Sequence, residues 1–210
     1  MEAYALDRGY RAAGVAGLLP QSWPMEPHAV GITGSARSTG SADATVVLNR
    51  NGLTITAFTV DHAPVAPAYG YRFDYKGRSV VISGDTAKSS NLIRAAGGAD
   101  LLIHEALAKH MIRIIQQVAE AQHDIQVAET LGSIQRYHTT PVEAAEVANQ
   151  AHVRLLVISH VAPPQFNFLG RWAFMRGVSE TRSRGVQLGC DGMLIMLPVG
   201  SNEIRVNGLD

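Results

Sequence analysis

Histidines and carboxylates recur where apolar runs of this sequence end. Leu53 to Val60 runs into Asp61-His62, Ser79 to Ser83 into Gly84-Asp85-Thr86, Leu101 to Ile103 into His104-Glu105, and Leu155 to Ser159 into His160. A single histidine after an apolar run is ordinarily a surface or core residue. Repetition of the pattern points instead to imidazole and carboxylate gathered at one sheet edge, a donor set that suits zinc, manganese or iron. Metal chemistry is therefore the leading expectation, with Asp85 on a glycine-bent strand tip near its centre. His138 stands two residues ahead of Thr140-Pro141-Val142-Glu143. That tetrad reads as a helix start with a threonine N-cap, proline at the first position and glutamate closing a capping box, so His138 is held in an ordered place.

The elements that must position these groups follow from the pattern of the chain. Thr45–Arg50 and Leu53–Val60 flank Asn51-Gly52, a strong hairpin signal because both turn residues tolerate positive φ. Ala68–Asp74 and Arg78–Ser83 form a second hairpin around Lys76-Gly77. Ser89–Ala96 is a short helix stopped by Gly97-Gly98. The spacing of Leu107, Met111, Ile114, Ile115, Val118 and Ala119 predicts one helix from Ala106 to Leu131, with His110 and His123 toward solvent. The capped helix runs to Ala151, and Arg154–Ser159 is a strand. Val186–Cys190 and Met193–Pro198 are expected to make a third hairpin around Asp191-Gly192. Residues 2–13 look helical and residues 14–44 form a Gly/Pro/Ser/Ala-rich loop, so 1–44 are expected to be the connecting helix and loop of a larger domain.

Composition excludes several classes. Eighteen Lys and Arg balance 18 Asp and Glu, so no net charge draws the chain to nucleic acid or an anionic membrane. No apolar run approaches the length of about eighteen residues that a membrane span needs. Cys190 is the single cysteine, which rules out an intrachain disulfide and a thiolate cage, and its strand-like surroundings suggest a buried, inert thiol. The N-terminus lacks a basic start and apolar segment, so the chain as written reads as cytoplasmic, with export of a longer parent if a signal precedes Met1. Phe166, Phe168, Leu169, Trp172, Phe174 and Met175 form the densest aromatic patch; core packing is the plainer expectation, a pocket wall or subunit contact the alternative.

Asp61-His62, Tyr69-Gly70-Tyr71-Arg72, Ser83-Gly84-Asp85-Thr86, His104-Glu105-Ala106, His138-Thr139-Thr140 and Ser159-His160-Val161 resemble, in order, the later motifs of the metallo-β-lactamase superfamily, in its ribonuclease Z and arylsulfatase-like branch. The resemblance implies an α/β fold, the metallo-β-lactamase-type αββα sandwich, spanning residues 45–210 as a single incomplete domain. It implies that His62 binds one metal ion, Asp85 bridges two, and His160 binds the second. It also implies that His138, supported by Glu105, donates a proton to the leaving group. Zinc is the implied metal, with manganese or iron as alternatives.

The family's His-x-His-x-Asp-His signature does not occur in these 210 residues. The resemblance therefore implies a chain carrying roughly the last two-thirds of the fold, with two protein ligands per ion and weak or absent metal, since tight sites use three or four. The complete form is expected to be a metal-dependent hydrolase of ester-like bonds acting on a small phosphodiester, sulfate ester or lactone. RNA is disfavoured by the absence of a gripping arm between His62 and Asp85 and by the neutral charge. Self-association through the exposed sheet or the Phe166–Met175 patch is expected. A non-catalytic remnant or binding module and a tRNA 3′-end endonuclease remain as alternatives.

Overall fold

The structure, a computed structural model, describes residues 44–208. The expected N-terminal helix and loop lie outside the described residues, apart from Ala44. Its centre is a seven-stranded sheet of β1 (Ala44–Arg50), β2 (Leu53–Val60), β3 (Ala68–Tyr75), β4 (Arg78–Ile82), β5 (Leu101–Leu107), β6 (Leu155–Ala162) and β7 (Val186–Leu188), in that spatial order. Strands β1 to β4 form an antiparallel meander through the Asn51-Gly52 and Lys76-Gly77 turns, where all four turn residues have positive φ. Strands β4, β5, β6 and β7 are parallel neighbours. Because β3 runs against both β2 and β4, strands β2, β4, β5 and β6 all point the same way. Their C-terminal ends therefore share one edge.

Alternation of side chains gives the sheet two different faces. Phe58, Val81, Leu102, Ala106, Leu156 and Ile158 face a helix layer of α1 (Ser90–Ala95), α2 (Lys109–Ala121), α3 (Ile125–Ile134), α4 (Pro141–Gln150), α5 (Phe168–Phe174) and α6 (Val178–Thr181). Alanines 144, 145, 148 and 151 let α4 lie close against the strands, and Leu92, Phe174 and Val178 complete this core. On the opposite face Leu101, Leu155 and Val157 pack with Met193, Ile195, Leu197, Ile204 and Val206 around a small antiparallel sheet, β8 (Leu194–Met196) with β9 (Arg205–Asn207). Helices, large sheet and small sheet supply successive layers of the αββα arrangement. Among the described residues the rest of that face is open: Leu48, Tyr71, Tyr75 and Ile82 are exposed.

A charged clamp ties the last segment to the N-terminal end of the parallel strands. Asp100, nearly buried, accepts from Ser79 N at 2.9 Å and pairs with Arg78 at 3.3 Å and Arg154 at 2.6 Å. Those two guanidinium groups also donate to the carbonyls of Ser201, Asn202 and Glu203.

Several expectations are corrected. The third hairpin does not form: β7 adds in parallel to β6, and β8 leaves to pair with β9. The free edge of β6 and the apolar cluster under Leu101 outcompete a local hairpin, and a Cβ at Gly189 would sit 2.9 Å from the Ile158 carbonyl where the chain turns away. The single helix is two, broken where His123 takes φ 60° and Asp124 caps α3 by accepting from Val127 N. Its apolar stripe is core only in part: Leu107 and Ala119 are buried and Met111 packs against the core, whereas Ile114, Ile115 and Val118 are exposed, and Ile112, outside the stripe, is buried. Of the aromatic patch only Phe174 is fully buried, while Phe166 is 92% and Phe168 78% exposed. Cys190 is exposed.

Candidate metal and acid-base site

The shared edge brings the titratable groups together. His62 follows β2 on a loop held to the Asp85 loop by Ala87 N donating to Asp61 O at 2.7 Å and Asp61 N donating to Thr86 Oγ1 at 3.1 Å. Gly84, with φ 62°, turns the chain out of β4; a Cβ there would fall 2.4 Å from the Tyr69 carbonyl, so glycine is required. One donor atom from each of His62, Asp85 and His138 lies within 4.8 Å of the others. His160 Nε2 stands 3.8 Å from Asp85 Oδ1, and the His160 ring stacks on that of His138 with centroids 6.3 Å apart.

His160 reaches this place through a bulge. Glu105 pairs with Ser159 and Ala106 with Val161, so His160 is an extra residue in β6, and its φ is 44°. Bulges bend a strand and re-aim a side chain next to active sites. The sequence reading put His160 just beyond its strand; the strand in fact continues past it to Ala162.

Glu105 is the organiser behind the edge. It is buried within β5 rather than beyond it, and its Oε1 accepts from Thr86 N at 3.1 Å, Thr139 N at 3.2 Å and His138 Nδ1 at 3.0 Å. Thr139 Oγ1 donates to Thr86 O at 2.6 Å, and Ser83 Oγ accepts from Glu105 N at 3.1 Å. The capping box of α4 is present, with Thr140 and Glu143 bonded reciprocally, and fixes the chain directly after His138. Burial acts to lower the His138 pKa, but the hydrogen bond and charge of Glu105, aided by Asp85, outweigh it and raise the imidazole above 6.5; Lys109 opposes them.

Sequence reasoning left Ser83, Thr86, Thr139 and Tyr137 without roles. The first three were legible as small polar residues beside the motif histidine and aspartate. Tyr137 carries no such signal and appears only in space, its ring edge-on to His62 at 4.9 Å. His104 is fully buried on the helix side; its Nδ1 lies 2.7 Å from the Glu105 carbonyl and its Nε2 has no partner.

Two observations fit a divalent cation here. The donor set is imidazole and carboxylate, and His62 Nε2 is buried without a hydrogen-bond partner. His62 and Asp85 would hold the ion, with His160 beside Asp85 and a His138 nitrogen in the same 4.8 Å cluster.

The sequence profile of the β-lactamase superfamily domain matches residues 11–161, and the chain belongs to that family. It is 31% identical over 164 residues to a ribonuclease Z of Mycobacterium sp. (strain KMS), a match covering 78% of this chain and 49% of the relative. It is 34% identical over 163 residues to a putative ribonuclease Z of Mycobacterium tuberculosis (strain CDC 1551 / Oshkosh), covering 78% and 62%. The chain spans about half the length of most of these relatives. Among solved structures, the metallo-β-lactamase fold protein YhfI from Bacillus subtilis aligns with a TM-score of 0.48 at 20% identity, over 68% of this chain and 49% of that one. Among the described residues no helix is long and apolar enough to cross a membrane.

Proposed function

We propose that this sheet edge is the centre of a metal-dependent hydrolase of ester-like bonds, with phosphodiesters as the preferred class. The observation that carries the reading is the convergence of His62, Asp85 and His138 within 4.8 Å, with Glu105 hydrogen-bonded behind His138. A divalent ion held there would supply Lewis acidity toward an ester oxygen and acidify water at neutral pH. Zinc suits the donor set, and manganese or iron are the alternatives.

The chain's own residues divide the remaining work. Glu105 fixes the His138 tautomer, because its carboxylate accepts the Nδ1 proton and leaves Nε2 facing the edge. Its charge keeps a proton on the imidazole to higher pH than in an ordinary histidine, which is what a donor to a departing oxygen requires. His62 and Asp85 would hold the ion, and His160 Nε2 stands 3.8 Å from the Asp85 carboxylate.

The names of the relatives support phosphodiester chemistry, and they favour RNA as a second reading. The balance of 18 basic and 18 acidic residues supports a small phosphodiester, sulfate ester or lactone instead. Hydrolysis of a chromogenic phosphodiester with added zinc or manganese tests the proposal, with Asp85→Ala abolishing turnover. Equal turnover by that variant rejects it. A salt-sensitive mobility shift with tRNA would select the RNA reading.

A further inference from the structure

We infer that Tyr137 is a positioning residue that aims the His62 imidazole at the cation site, an inference that rests on the metal-site reading above. Among the described residues no hydrogen bond orients the His62 ring, whereas His138 is oriented by Glu105. A ligating histidine whose other nitrogen lacks a partner must be held by something else, since outer groups ordinarily fix the ring. Here that role falls to aromatic packing. The His62 ring meets Tyr137 edge-on at 4.9 Å and 73°, and His138 edge-on at 5.1 Å and 82°. Tyr137 and His138 are themselves in contact at 5.2 Å, so His62 stands against a corner made by two consecutive side chains.

That corner is stiff. Tyr137 N donates to Ile134 O at the end of α3, Thr139 N donates to Glu105, and Thr140 caps α4, so the backbone is anchored on both sides of the ring. Rings arranged edge to face have a preferred geometry, and rotation of His62 about χ2 would break both contacts together. The tyrosine ring, not its hydroxyl, is the part that acts.

The test uses the full chain with zinc alone as the probe, read by competition with a chromophoric chelator, and a melting curve for each protein. Tyr137→Leu should weaken zinc binding about tenfold, the loss typical when a group that orients a ligand is removed, with its folded melting transition kept. Tyr137→Phe should bind as the parent does. A leucine variant with parental affinity, or a phenylalanine variant as weak as the leucine one, overturns the inference. If the parent chain takes up no zinc, the metal-site reading fails, and Tyr137 is then judged on the metal-free proteins by NMR. Parent and Tyr137→Phe should show cross-relaxation between the two rings and one set of His62 resonances, with doubling or broadening in Tyr137→Leu. Unchanged His62 resonances in the leucine variant would refute the positioning role.

Discussion

Glu105 Oε1 lies 3.0 Å from His138 Nδ1, and the same oxygen receives two backbone N–H groups from the loops on either side. Although burial pulls the imidazole down, Glu105 and then Asp85 raise its pKa above 6.5. An NMR titration of the metal-free protein should therefore give a His138 midpoint above 6.5, and Glu105→Gln should bring it to that value or lower. Since the folded-state value is raised, the pair's contribution to stability is full below the ordinary histidine range and is lost as pH rises through the raised midpoint. A parental midpoint at or below 6.5 would contradict the pairing.

His104 behaves in the opposite sense. Burial is the main cause of its lowered pKa, with Glu105 and Glu143 opposing, so it folds as a neutral ring. The unfolded chain binds that proton more readily, and stability falls as pH drops below about 6.5. Urea midpoints measured at about pH 7.5 and about pH 5.5 should differ less in His104→Leu than in the parent. Equal differences in the two proteins would exclude His104 as the source.

The bulge at His160 exchanges backbone comfort for aim. A non-glycine residue at φ 44° is strained, and His160→Gly should raise stability by up to about 1 kcal/mol while removing the imidazole beside Asp85. Denaturant unfolding and zinc affinity measured together check this. A destabilised glycine variant would mean that the ring contributes more to the fold than the backbone loses.

Asp100 is the shared partner of two arginines, and Arg78 is at least as buried as the aspartate itself. Asp100→Ala should cost about 3 kcal/mol, because it leaves the Arg78 guanidinium buried without its carboxylate. Thermal or urea unfolding measures the loss. A cost under about 1 kcal/mol would mean that the carbonyls of Ser201 and Glu203 suffice for that charge.

What could be read from the sequence was whatever local chemistry decides. The Asn51-Gly52 and Lys76-Gly77 turns and the Thr140–Glu143 cap depend on neighbouring residues, and each appears as expected. The common edge was legible too, since apolar runs ending in His62, Asp85 and His160 recur along the chain. Long-range competition was not legible. The β8 strand prefers β9 to the nearer β7, and on α2 Ile114, Ile115 and Val118 face outward while Ile112 and Ala119 take the core. Nor could spacing show that His160 is an unpaired extra residue, since a bulge exists only relative to the partner strand.

The clamp of Arg78, Asp100 and Arg154 sits at the opposite end of the parallel strands from Asp85 and His160. One fastening of the sheet is thus kept apart from the candidate site. Exposed side chains of the working rim, such as His160, can be exchanged while the far anchorage continues to keep the sheet in register. A scaffold divided in this way lets substrate preference drift in evolution without each step risking collapse.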